Sequence, residues 1–132
     1  MQVLLAFIDD DIEETLAVGL EAELRTLCGN RLWHSMPEYV YETERATMEG
    51  DADIVTLGAF IRLEAHGSGD EAASLADTEA FVLWWATYSS TSGKTVGFQL
   101  DREGIGWIMG GDKADLQKGL IDPWRASLQT SG

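Results

Sequence analysis

Residues 81–109 read Phe-Val-Leu-Trp-Trp-Ala-Thr-Tyr, Ser-Ser-Thr-Ser-Gly-Lys, Thr-Val-Gly-Phe-Gln-Leu, Asp-Arg-Glu-Gly, Ile-Gly-Trp-Ile-Met. Three runs rich in aromatic and β-branched residues alternate with two clusters of turn residues, the composition of a three-stranded antiparallel meander. The turn from Ser89 to Lys94 ends in Ser92-Gly93-Lys94-Thr95, the tail of a phosphate-binding loop. Such a loop needs a first glycine five residues before Gly93, where Tyr88 stands, and a helix after it, where Thr95 to Leu100 has strand character. The segment therefore reads as a turn and not as a nucleotide cradle.

Working outward, Gly110-Gly111 and Asp112 introduce a last helix to about Ile121, capped by Asp112, with Asp115 in its first turn and Pro123 stopping it. Trp124 and Leu128 then cover the core. The glycines at 104, 106, 110 and 111 have the wrong spacing for a dinucleotide fingerprint. Upstream, residues 54–64 alternate so that Val55, Leu57, Ala59, Ile61 and Leu63 form one wholly apolar face, as in a central or half-buried strand. His66 to Asp70 is a loop and Glu71 to Ala80 a short helix. Residues 38–48 alternate aromatic and charged side chains and fit either an exposed strand or an irregular helix. Leu32 to Ser35 is a short strand halted at Pro37.

At the N-terminus Gln2 to Ile8 is a short buried strand, followed by Asp9-Asp10-Asp11 as helix-capping carboxylates. Ile12, Leu16, Leu20, Leu24 and Leu27 then fall at helical spacing, and Gly29-Asn30 ends the helix in a left-handed turn. The expected architecture is α+β. It is one globular domain over residues 1–132, mainly an antiparallel sheet with a C-terminal three-stranded meander, packed by an N-terminal amphipathic helix and a C-terminal helix.

The net charge of −14 is placed unevenly. Residues 1–79 hold 18 acids against Arg25, Arg31, Arg45 and Arg62, whereas the remainder balances five acids with five bases. That asymmetry disfavours nucleic acid and anionic membrane as direct partners and favours a basic protein surface. The apolar run Val3 to Ile8 is short and lacks a basic leader, the mark of neither a signal peptide nor a membrane span. A lone Cys28 implies no internal disulfide, and His34 and His66 show no metal-ligand spacing, so the expectation is a cytoplasmic, cofactor-free chain.

Two segments resemble a widespread bacterial family of unknown function. Its members show Leu-Trp/Tyr-aromatic-Ser-x-Pro, an acidic Asn-Asp-Pro-x-Glu stretch, and Trp-x-x-Tyr leading to a Gly and a Gly-Phe pair. Here Leu32-Trp33-His34-Ser35-Met36-Pro37, then Trp85-Ala86-Thr87-Tyr88, Gly93 and Gly97-Phe98 occur in that order, over residues 31–101. The resemblance implies an ADP-ribosyltransferase-like architecture with an NAD-binding cleft. Leu4-Leu5-Ala6-Phe7 stands in place of the family's Tyr, Lys and Arg, and Tyr39-Val40-Tyr41 in place of Asn-Asp-Pro, which implies a scaffold kept without the chemistry.

No nucleophile, acid–base pair or metal set is assembled by the sequence itself, and His66 lacks a sequence-placed carboxylate partner. The first functional reading is an acidic binding or inhibitor protein, of toxin-immunity or phage anti-defence type, that blocks a basic protein partner, with a nucleic-acid-handling protein as one option for it. Its candidate contacts are Asp9, Asp10, Asp11, Glu13, Glu14 and Glu21 on the first loop and helix. A second set is Glu38, Glu42, Glu44, Glu49, Asp51 and Asp53, with Tyr39, Tyr41 and Trp84 as aromatic anchors. Neighbours in a strand point to opposite faces, so one of Trp84 and Trp85 fills the core while the other meets a covering helix or a partner. The alternatives are the NAD-cleft enzyme or its degenerate relative, and a structural subunit of a phage or secretion assembly that forms a homodimer through a Trp-rich sheet.

Overall fold

The computed structural model describes residues 2–130; Met1, Ser131 and Gly132 lie outside the described residues. Strand β1 spans Gln2–Ile8, helix α1 Glu14–Gly29, β2 Glu38–Glu44, β3 Ile54–Leu63, helix α2 Glu71–Ser92, β4 Val96–Leu100 and β5 Glu103–Ile108. The protein is α+β, with one five-stranded antiparallel sheet in the order β2-β3-β1-β4-β5. β1 lies at the centre because its inward residues Leu4, Ala6 and Ile8 are matched by apolar neighbours on both sides. On β3, Leu57, Ala59, Ile61 and Leu63 all point into the core, as their alternation predicts.

The helices cover this one face. Ala17, Leu20, Leu24 and Leu27 of α1 are buried, and Tyr39 of β2 donates its hydroxyl to the Ala17 carbonyl at 3.1 Å. Helix α1 starts later than the three aspartates imply. Its N-cap is Glu13, which makes no side-chain cap bond, and Asn30 ends the helix in the right-handed region instead of a left-handed turn. The aspartates are drawn elsewhere: Asp10 accepts the Thr95 amide at 3.3 Å and Asp9 the Trp107 indole at 3.0 Å.

Residues 81–88 are helical, which corrects the three-stranded meander. From Glu71 to Ser92 the chain has neither Gly nor Pro, and Ser74, Leu75, Thr78, Phe81, Val82, Trp85 and Ser89 recur on one buried stripe. Burial of that stripe outweighs the strand preference of Val and Trp, a bias of only about 1 kcal/mol across its whole scale. Ser89 to Ser92 form the last turn of α2, and Gly93, at φ 74°, closes it in the left-handed conformation. The remaining two strands do pair, through a tight turn in which Asp101 and Arg102 both adopt positive φ. That turn is tied to β1, since Asp101 exchanges backbone and side-chain bonds with Val3.

Two further expectations change. Leu32 to Ser35 is irregular, with Ser35 held by Asp77 of α2 through a 2.7 Å bond from its amide. Pro123 does not stop the C-terminal helix. Ala114–Leu116 (α3) passes through a π-helical turn, Gln117–Ile121, directly into Asp122–Thr130 (α4), so Pro123 sits inside a continuous helical run whose ladder is already widened just before it. Asp112 does serve the start of this helix, accepting the Ala114 amide at 2.9 Å, and Trp124 is buried. Residues 38–44, left between strand and helix by their composition, become β2 because β3 offers an unpaired edge in register from Ile54 to Phe60.

Candidate functional site

The second face of the sheet carries no helix. Register places Val3, Leu5 and Phe7 of β1 beside Arg62, Phe60 and Gly58 of β3, and Leu5 and Phe7 beside Gln99 and Gly97 of β4. Phe7 can lie across β4 only because residue 97 has no side chain: a Cβ there would meet the Phe7 ring at 2.4 Å. Trp107 stands opposite Gly97 on β5 and is 49% exposed. Leu5, Phe7, Val40 and Phe60 are each half-buried, so the centre of the face is apolar and in contact with water.

Acids border this centre. Glu38, Glu42 and Glu44 point to the same side from β2, being paired with Phe60, Thr56 and Ile54, and Asp9 and Asp10 stand at the end of β1. Glu38 is paired with Arg62, whose guanidinium lies 5.2 Å from the Phe60 ring centre. Among the described residues, Glu42, Glu44, Asp9 and Asp10 form no ion pair. Between the end of β1 and the start of β3 a groove of about 320 Å³ is lined by the apolar side chains of Leu5, Phe7 and Ile54 together with Asp9 and Asp10. That arrangement suits a long cationic side chain, whose methylenes cover apolar surface while its charge meets carboxylates.

The structure thus divides the residues that the sequence grouped. Asp9, Asp10, Glu38, Glu42 and Glu44 share the open face. Asp11 follows in the loop before α1, and Glu49, Asp51 and Asp53 lie in the β2–β3 loop, where Asp53 accepts the Ala46 amide at 2.8 Å. Glu13, Glu14 and Glu21 belong to the helical layer on the other side, with Glu21 paired to Arg25. Tyr39 turns inward, and burial followed by the nearby Glu21 and Tyr41 raises its hydroxyl above the usual tyrosine range. Tyr41 is exposed beside it on the helical side. Trp84 is half-buried, stacked on Tyr88 at 5.6 Å and 12°, and is not a sheet anchor; Trp85 is the fully buried one of the pair. Of the five tryptophans only Trp107 lies on the sheet, so a Trp-rich sheet does not form.

A second constellation lies where β3 ends and α2 begins. Glu71 is buried and accepts three bonds, from the Gly67 amide at 3.0 Å, His66 Nδ1 at 2.8 Å and Trp124 Nε1 at 2.8 Å. Chiefly through the Gly67 bond, then that of His66, its carboxyl is held below the usual carboxylate range. Close by, His34 Nε2 is 2.9 Å from Glu64 Oε1, and this bond raises the histidine above its ordinary value. Leu63, Glu64, His66 and Trp124 line a cavity of about 360 Å³ beside the C-terminal helix. Neither the His66–Glu71 pair nor the His34–Glu64 pair was legible in the sequence, although a carboxylate five residues after His66 was a local signal for the first.

No protein-family model, no curated protein and no solved structure matches this chain. No described helix is long and apolar enough to cross a membrane.

Proposed function

We propose that this chain is a small acidic binding protein that occludes a basic surface on a protein partner, in the manner of a toxin-immunity or phage anti-defence inhibitor. One observation carries the reading: a helix-free sheet face with Leu5, Phe7 and Phe60 at its centre and Trp107 exposed on the edge strand β5 is bordered by Asp9, Asp10, Glu42 and Glu44, which have no ion-pair partner among the described residues. Strands about 4.8 Å apart and six residues of about 3.3 Å each give this face a projected area of roughly 480 Å². A stable interface takes about 800 Å² from each partner, so the acidic margins are enlisted as well as the centre.

The two zones divide the work. The carboxylates draw a basic surface in and set the encounter rate, while Trp107 and the groove beside Phe7 set the lifetime of the complex. Where the partner handles nucleic acid, the carboxylates take the places of phosphates. The test is affinity capture from host lysate, followed by association kinetics with the captured protein across ionic strength. A basic partner whose association slows by more than about tenfold between low salt and 0.5 M supports the reading. An association rate flat across that range removes it.

A further inference from the structure

We infer that His34, Glu64 and Asp70 form a divalent-metal site of the zinc class. One ligand atom from each lies within 4.8 Å of the other two, and His34 Nε2 and Glu64 Oε1 already approach to 2.9 Å. The three residues come from separate segments: the loop after α1, the residue following β3, and the position preceding α2. Thirty residues separate the first two, so no spacing motif announces the set.

Three features favour a cation there over three solvated polar groups. Glu64 and Asp70 have no lysine or arginine partner among the described residues, and Arg31 pairs at 3.4 Å with Asp77 instead. With His34 neutral, the set carries a formal charge of −2, which a divalent ion balances. Asp70 also occupies the N-cap of α2, where an aspartate normally accepts an amide of the first turn, yet it makes no such bond. Glu64 is held by its backbone, whose amide donates to the buried Ser74 hydroxyl at 2.9 Å. One imidazole nitrogen with two carboxylate oxygens suits Zn²⁺ and its neighbours better than Mg²⁺ or Ca²⁺, which take all-oxygen sites. Three protein ligands leave a fourth position for water.

The site is distinct from the open sheet face and does not rest on the docking proposal. A metal there fastens the loop carrying Trp33 to the start of α2. The experiment is calorimetric titration of the full chain with zinc chloride at neutral pH, with magnesium chloride as comparison. Parallel titrations use His34→Ala, the milder His34→Gln, Asp70→Asn and His66→Ala, each checked for fold by circular dichroism. The expected result is one zinc per chain, magnesium binding at least about a hundredfold weaker, and zinc affinity lowered at least about tenfold in the His34 and Asp70 variants. His66→Ala keeps the wild-type affinity, because that ring is engaged by Glu71. The absence of zinc binding, equal binding by folded His34→Gln, or an equal loss in His66→Ala overturns the assignment.

Discussion

Substitutions at Phe81 and Leu83 test the packing that decides this fold. In a strand, residues 81, 83 and 85 would share one face. In α2, Phe81 and Trp85 are wholly buried and meet edge to face at 6.2 Å, while Leu83 is 56% exposed. Removing the Phe81 ring deletes a fully buried aromatic side chain, and Phe81→Ala is expected to cost about 3–5 kcal/mol. Leu83→Ala removes mostly solvated methylenes from an exposed helix position, so its effect stays within about 0.5 kcal/mol. With a urea slope of about 1.5 kcal/mol per molar, the first substitution lowers the unfolding midpoint by about 2–3 M and the second by less than about 0.4 M. Because a domain of this size has only about 5–15 kcal/mol in total, Phe81→Leu, at about 1 kcal/mol, provides the milder companion. Urea titrations followed by far-ultraviolet circular dichroism read all three. Equal losses from Leu83→Ala and Phe81→Ala would refute the helical assignment and restore the strand.

Gly58→Ala places a methyl group 1.8 Å from the Ala6 carbonyl oxygen, backbone that cannot step aside. It is expected to cost more than about 2 kcal/mol and to lower the Tm by about 8 °C, measured by scanning calorimetry; an unchanged Tm would contradict the close approach of β1 and β3. Burial raises the Cys28 thiol above the ordinary thiol range, so iodoacetamide labelling, followed by mass, is expected to rise with pH later than for a free cysteine of pKa about 8.5. Coincident profiles would show that the thiol is solvated. Tyr39 is also raised, by burial first. Its stabilising contribution is therefore complete below the unfolded value of about 10 and is lost as pH climbs through the higher folded value. Tyr39→Phe is expected to flatten the alkaline limb of the stability profile, and an unaltered limb would assign that loss to other groups.

Where local pattern and tertiary demand agreed, the sequence was a sufficient guide. The leucine spacing of α1, the alternation of residues 55–63 and the Asp101-Arg102 turn each carry their own period or turn chemistry. Residues 81–88 failed because aromatic and β-branched side chains advertise a strand. The helical stripe becomes visible only when those residues are read together with Ser74, Leu75 and Thr78. β2 has no strong period of its own and depends on the edge of β3. The open face is half legible: the acids of β2 stand out in the sequence, whereas nothing there favours Trp107 over Trp84, since exposure follows from which sheet face the helices leave bare. The histidine–carboxylate cluster was invisible because residues 34, 64 and 70 meet only after β3 delivers its end to the start of α2.

The face that meets a partner decides between the open sheet and the helical layer. The measurement is the dissociation rate of the captured partner from three folded proteins. These are the wild type, an open-face variant combining Trp107→Ala with Glu42→Lys and Glu44→Lys, and a helical-layer variant combining Glu13→Lys with Glu14→Lys. Loss of an exposed aromatic anchor is worth about 2 kcal/mol or more, so the open-face variant is expected to release the partner at least about thirtyfold faster, while the helical-layer variant stays near the wild type. A partner held unchanged by the open-face variant and released by the helical-layer variant would contradict the account and move the binding surface to the opposite side of the protein.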